Sequence, residues 1–322
     1  MELFHWQRSN SKGRISGGKA VGLLLERLKE KKLLVGDGAW GTVLQKSGLK
    51  AGECPEEWNV THAWEIRNIA SQYARAGADI VLTNTFGGSF FKLKKYSLEA
   101  RTRELNEAGA RLSIEGAAAA VSGEGASGCF VAASVGPTGE FLTPLGVVNE
   151  EEMEAVFAEQ ISALLEGGVR IIVIETMTAI EEALCAVRAA KKLDSSIDVA
   201  ATMTFDPVPG GFKTMMGVDC ARAVKELTAA GVDFLGSNCG NGIDQMIPIT
   251  REIRRYTELP ILIQSNAGSP ELINGETVFR QSPEYMAERV GELVEAGADI
   301  VGGCCGTTPD HIAAIRNAID SL

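Results

Sequence analysis

The chain has 322 residues, 45% of them apolar and 23% charged, with a formal net charge of −11. This composition supports a sizeable core under an acidic surface, which argues against nucleic acid or an anionic membrane as the main partner. No apolar run reaches the length of a membrane span and the first residues lack the apolar centre of a secretory signal. The seven cysteines read as thiols of a reducing cytoplasm rather than as a disulfide framework.

Residues 18–32 (GKAVGLLLERLKEKK) read as an amphipathic helix that could plug one end of the fold that follows. LLVGDG (33–38) is the first strand candidate. After it one pattern recurs: a helical stretch ends on a small-residue turn with Gly as its C-cap, then a β-branched run reads as a strand buried on both faces. The repeats are AGADIVLTNT (76–85), GGVRIIVIET (167–176), AGVDFLGSNC (230–239) and AGADIVGGCC (296–305). FVAASVGP (130–137), DVAATMTF (198–205) and PILIQSNAG (260–268) complete eight strands. Helices are expected over 62–76, 98–121, 150–166, 179–193, 218–230, 244–256 and 283–296. A last one starts at Thr308-Pro309-Asp310, with Thr as N-cap and Pro at the first helical position. SGEGASG (122–128) reads as a loop.

Alternating strands and helices imply a parallel sheet, and eight such units close into an α/β fold, a (β/α)8 TIM barrel. An open doubly wound sheet would alternate in the same way, but no GxGxxG follows the first strand. There is no inter-domain linker. The division expected is residues 1–32 as an N-terminal extension with its helix, and 33–322 as the barrel.

Active sites of such barrels form at the C-terminal strand ends, and the polar residues collect there: Asp37, Thr83, Asn84, Thr85, Ser134, Glu175, Thr176, Asn238, Cys239, Asn266, Cys304 and Cys305. Cys239 ends the sixth strand, and Cys304 and Cys305 end the eighth. Adjacent residues of a strand point to opposite faces, but Gly302, Gly303 and Gly306 let the backbone bend so that both sulfurs turn inward. Three thiolates suit a catalytic zinc ion with one open position. The competing readings are three buried free thiols packing as small hydrophobes, or a vicinal disulfide. The other cysteines, Cys54, Cys129, Cys185 and Cys220, fall on loops or helices and read as structural. A zinc ion with three thiolates is a weak Lewis acid for water, yet it lowers the pKa of a bound thiol, so alkyl transfer to a thiol is the chemistry favoured. Asp37 and Glu175 suit the ammonium of an amino-acid substrate. Asp37 as a turn cap and Glu175 as a lysine partner are the alternatives. The glycine-rich turn at 36–41 offers N–H groups to a carboxylate, and Thr83 a hydroxyl.

GDGAWGTVLQ (36–45), DIVLTNTFGG (79–88), VGPTG (135–139), VIETM (173–177), GSNCGNG (236–242) and GGCCGTTPDHI (302–312) resemble, in order, the motifs of the homocysteine S-methyltransferase family. The resemblance covers roughly residues 33–320. It implies zinc (Zn2+) held by Cys239, Cys304 and Cys305, with the homocysteine sulfur in the open position. It implies that Asp37 and Glu175 hold the homocysteine amine and that Gly38 and Thr83 contact or flank its carboxylate. Asn238 is similar to a family residue that approaches the metal when substrate is absent. CPEEWNVTHAWEI (54–66) looks more like the homocysteine-binding barrel of cobalamin-dependent methionine synthase than like the betaine enzyme, whose aromatic box attracts a quaternary ammonium. Trp40, Trp58, Trp64, Phe86, Phe90 and Phe91 lie in the right third of the chain, but their spacing reads as core packing.

The resemblance thus implies transfer of a methyl group from a methyl-corrinoid co-substrate to homocysteine, giving methionine. The donor would be free methylcobalamin or a corrinoid protein partner. S-methylmethionine or betaine as donor, another thiol as acceptor, a zinc-stabilised binding protein and a homo-oligomer all stay open at this level. Residues 1–17 carry no reading.

Overall fold

The computed structural model describes residues 22–120, 128–273 and 276–322. The SGEGASG loop lies, but for Gly128, outside the described residues, as do residues 1–17. The eight expected strands form one parallel sheet: β1 (Leu34–Val35), β2 (Ile80–Leu82), β3 (Phe130–Val135), β4 (Ile171–Met177), β5 (Asp198–Met203), β6 (Phe234–Gly242), β7 (Ile261–Asn266) and β8 (Ile300–Gly303). The order of pairing is β1-β8-β7-β6-β5-β4-β3-β2. The seam between β1 and β2 is closed by a single bridge, Gly36 to Ile80. Carboxylates reinforce it: Val35 N donates to Asp79 Oδ2 at 2.9 Å and Leu82 N to Asp37 Oδ2 at 2.8 Å. The fold is a (β/α)8 barrel.

Helix α1 (Leu23–Lys31) precedes the barrel. Helices α2 (Ala63–Arg75), α3 (Thr102–Ala120), α4 (Glu150–Glu166), α5 (Ile180–Leu193), α6 (Cys220–Ala230), α7 (Ile243–Arg254), α8 (Pro283–Glu295) and α9 (Pro309–Asp320) surround it. Local chemistry sets their starts. The Asn149 side chain accepts from Glu152 N, Asp219 from Arg222 N and Ser282 from Tyr285 N, each satisfying an orphan N–H of a first turn. Thr308 and His311 form a reciprocal capping box on α9, so His311 is spent on a helix end. Gly231, with φ of 90°, ends α6 in the left-handed region that glycine enters at no steric cost.

The strands are buried on both faces. Outward residues such as Ile172, Ile174, Val199 and Ile263 pack under the helices. Inward residues of all eight strands, Leu34, Ile80, Leu82, Phe130, Ala132, Ile171, Val173, Ala200, Phe234, Leu262 and Ile300, fill the barrel. Leu24 of α1 joins this inner cluster, and its N–H donates at 2.9 Å to Asp198 Oδ2 at the start of β5. Helix α1 therefore closes the N-terminal end of the barrel.

Sequence reading missed two antiparallel strand pairs, 206–208 with 211–213 and 271–273 with 276–278. Both extend from C-terminal strand ends. Each arm is only three residues long, too short for an alternation of apolar and polar residues to register.

Candidate metal centre and amino-acid subsite

The two-residue period of a strand carries the inner face from apolar to polar in one step. Ile171 and Val173 are followed by Glu175, Phe130 and Ala132 by Ser134, and Ala200 by Thr202. Phe234 and Gly236 lead to Asn238, Leu262 to Gln264, and Ile300 and Gly302 to Cys304. The site is this polar layer, resting on the apolar fill of the barrel.

Cys239, Cys304 and Cys305 come together. Their sulfurs all lie within 4.8 Å of one another, and those of Cys239 and Cys305 are 3.9 Å apart. Sulfurs placed tetrahedrally at about 2.3 Å from a zinc ion stand about 3.8 Å apart, so the spacing fits a shared metal. The vicinal pair is held by its neighbours: Cys304 N donates to Ser265 O at 2.7 Å, and Ala267 N to Cys305 O at 2.9 Å. Gly306 completes the bend with φ of 82°. Gly303 admits close packing, since a Cβ there would sit 2.3 Å from Thr307 Oγ1. Negative charge is favoured at Cys239, which receives hydrogen bonds from the thiols of Cys304 and Cys305; the same coupling pushes those two upward. The remaining cysteines are free thiols away from this cluster. Cys54, Cys185 and Cys220 are buried, and burial raises all four in pKa.

Asp37 and Glu175 are both buried in the same layer. Burial pushes Asp37 up to about 7, although the Leu82 N–H and the Trp40 indole act against the shift, and the charge of Glu175 adds to it. Glu175 is likewise pushed up to about 7 by burial, opposed by the Ser134 hydroxyl and assisted by negative charge at Cys239. Asp37 Oδ2 accepts from Leu82 N and Trp40 Nε1, while Oδ1 is buried and has no hydrogen-bond partner among the described residues. Such an orphan acceptor asks for a ligand donor.

Gly38 lies where a Cβ would meet Thr307 Oγ1 at 2.7 Å and the Tyr73 hydroxyl at 3.0 Å. Thr83 is beside the site, but its hydroxyl is committed. It accepts from Ser134 N at 3.1 Å and pairs at 2.5 Å with Thr85 Oγ1, which itself donates to Ser134 O. The Thr83 proton is therefore directed to Thr85 and not to a carboxylate.

Asn238 sits between the carboxylate and the sulfurs. Its amide oxygen is occupied, accepting from Thr176 N at 2.8 Å and Thr202 Oγ1 at 2.7 Å. It presents its NH2, not its oxygen, near Cys304 Sγ at 4.0 Å, so it is not placed to offer a metal an oxygen. Asn266, read from sequence only as one of the polar strand ends, has a buried Oδ1 with no hydrogen-bond partner among the described residues, and its side chain favours negative charge at Cys239. The two asparagines differ in whether the amide oxygen is engaged, and no sequence pattern encodes it.

Of the six aromatic residues, Phe90 and Phe91 meet edge to face with ring centroids 5.8 Å apart. Trp40 is tied to Asp37, Trp58 is buried and stacked on His62, and Trp64 is 65% exposed.

Three sulfurs close enough to share a metal ion and two buried carboxylates thus lie on one rim of a (β/α)8 barrel. The family model described as homocysteine S-methyltransferase matches residues 34–319, and the chain belongs to that family. Two methionine synthases are similar in sequence. That of Mycobacterium tuberculosis is 31% identical over 310 residues, 93% of this chain. That of Mycobacterium leprae is 30% identical over 307 residues, 92% of this chain. The chain spans about a quarter of the length of these relatives, 25% in each case. The metallated form of the homocysteine methyltransferase MmuM from Escherichia coli superposes with a TM-score of 0.78 at 23% identity, covering 91% of this chain and 99% of that one. This likeness bears on the fold. Among the described residues no helix is long and apolar enough to cross a membrane.

Proposed function

We propose that the chain is a zinc-dependent methyltransferase that moves a methyl group from a methyl-corrinoid, free or on a partner protein, to the thiol of homocysteine, giving methionine. The observation that carries this reading is the placement of the three sulfurs on one rim with Asp37 and Glu175. Zinc bound by three thiolates supplies one open position for the substrate sulfur and lowers its thiol pKa from about 8.5. The residues of the chain do the rest. Asp37 Oδ1 and Glu175 receive the ammonium, and the turn through Gly38 faces the carboxylate. A sulfur-to-methyl bond forms, the methyl-to-donor bond breaks, and the thiol proton leaves to solvent. The residues supply binding and orientation.

A protein carrier for the donor is supported by the rim itself. Phe141, Leu145, Val147, Met215 and Leu272 are large, apolar and exposed. All lie on segments that leave C-terminal strand ends, the end that holds the cysteines. With Trp40 tied to Asp37, Trp58 stacked on His62 and Trp64 exposed, the tryptophans do not favour betaine. Free thiols in the site suit a reducing cytoplasm.

The deciding experiment is homocysteine methylation with methylcobalamin, a methyl-corrinoid protein, S-methylmethionine and betaine, each with zinc-loaded and chelator-treated protein. Turnover with a corrinoid donor that chelation abolishes is expected. Full activity in a metal-free preparation would sink the mechanism, and turnover with S-methylmethionine or betaine alone would replace the donor.

A pH dependence follows from the two carboxyls near 7. Their protonated forms cannot pair with an ammonium, so affinity for L-methionine, whose sulfur carries no titrating proton, will rise about tenfold from pH about 6 to about 8. Calorimetric titration across that range tests it, and a flat affinity removes these carboxyls from amine binding. The stability of the ligand-free protein runs the other way. Raised carboxyl pKa values contribute stability below the ordinary carboxylate range, and that contribution is lost as pH rises through 7.

A further inference from the structure

Thr176 and Cys239 both have φ of 61°. Each directly follows an inward-facing polar residue, Glu175 or Asn238. Left-handed backbone is costly for any L-residue, most of all for a β-branched one, and persists only where the surroundings over-determine it. At Thr176 one side chain supplies that determination. Asn238 Oδ1 accepts from Thr176 N at 2.8 Å, and Asn238 Nδ2 donates to Thr176 Oγ1 at 2.7 Å. A backbone N–H can only donate, so the amide orientation is fixed, and the NH2 is left to reach Glu175 Oε2 at 3.2 Å.

The second donor to Asn238 Oδ1 is Thr202 Oγ1, at 2.7 Å from the end of β5, with the residue 0% exposed. Just past the end of the same strand, Thr204 Oγ1 donates at 3.0 Å to Asn238 O, the carbonyl that leads into Cys239. The carboxylate on β4 and the cysteine on β6 are thus spaced by an amide whose second anchor is a hydroxyl on the strand between them.

We propose that Thr202 is a positioning residue for the amino-acid substrate. Acting through Asn238, it holds Glu175 and the turn at Thr176 in register with Cys239, so that one homocysteine molecule reaches both the ammonium pocket and the sulfur site. Its own hydroxyl is spent on Asn238. The inference rests on the function proposed above.

The test compares Thr202→Val, which keeps shape and removes the hydroxyl, with Thr202→Ser, which keeps the hydroxyl. Affinity of the zinc-loaded protein for L-homocysteine is read by calorimetry, alongside zinc content and the split of KM from kcat. Thr202→Val should weaken homocysteine binding about tenfold, the effect of one lost buried hydrogen bond, with KM rising more than kcat falls and zinc content unchanged. Thr202→Ser should bind within about twofold of the parent. Parent-like affinity in Thr202→Val overturns the proposal, and so does loss of zinc together with affinity, which would make the residue a support of the sulfur site alone. Asn238→Asp is the second variant. It keeps an acceptor for Thr202 but turns an oxygen towards Glu175, and it should lose more affinity than Thr202→Val. Unchanged binding there also overturns the proposal. A parent protein that binds no homocysteine at all overturns the functional reading instead.

Discussion

Cys305→Ala will lose zinc and homocysteine methylation together while the barrel stays folded. The side chain lies just beyond the end of β8, half-buried, and its sulfur is 3.9 Å from that of Cys239. Removing it leaves two sulfurs, and no His or carboxylate joins the cluster among the described residues. Changes to groups that merely orient ligands cost about 10- to 100-fold in metal affinity, so loss of a ligand itself should exceed about 100-fold. The apolar fill of the barrel, from Leu34 round to Ile300, makes no use of Cys305. Metal content, methylation rate and a thermal melt on one preparation test the claim. Retained zinc with full turnover would remove Cys305 from the centre, and a collapsed melt would show that the residue serves the fold.

Glu175→Gln will raise the homocysteine KM by at least about 30-fold with a smaller change in kcat. Removing one side of a buried charge pair costs about 2–5 kcal/mol, and each 1.4 kcal/mol is a factor of ten. Glutamine retains the shape and an acceptor for Ser134. It also sets an NH2 against the NH2 of Asn238, which now donates to Glu175 Oε2 at 3.2 Å. Steady-state kinetics with homocysteine varied at saturating donor decide the point. An unchanged KM would exclude Glu175 from the amine pocket.

Much of this site could be read along the chain because strand periodicity and strand ends are local. The β-branched runs after Gly77, Gly168, Gly231 and Gly297 placed four strands, and all four glycines have positive φ. Helix α4 spans Glu150–Glu166 as expected, and the Thr308-Pro309 signal starts α9 where expected. Cys239, Cys304, Cys305, Asp37 and Glu175 are strand-end residues of unusual chemistry, so a barrel brings them to one rim whatever its details. What could not be read depends on partners distant in sequence. The Thr83 hydroxyl is claimed by Thr85 and Ser134, 51 residues away in the latter case. Asn238 turns its oxygen away from the sulfurs because Thr176 and Thr202 both donate to it. Asn266, beside Cys239, shows an oxygen unpartnered among the described residues only in three dimensions. The two antiparallel strand pairs failed for the opposite reason: they are local, but shorter than the pattern that would reveal them.

The closure of the barrel ties the site to motion. Between β1 and β2 the sheet is joined by a single bridge, and the next clasp beyond it is the side chain of Asp37 on Leu82 N. The residue proposed to receive the substrate ammonium through Oδ1 therefore holds the thinnest joint of the cylinder through Oδ2. Breathing of the empty barrel will concentrate there, and an occupied pocket will quiet it by keeping Asp37 ionised. Amide hydrogen exchange at Leu82 will slow when homocysteine or methionine binds, while the interior of β4 exchanges as before.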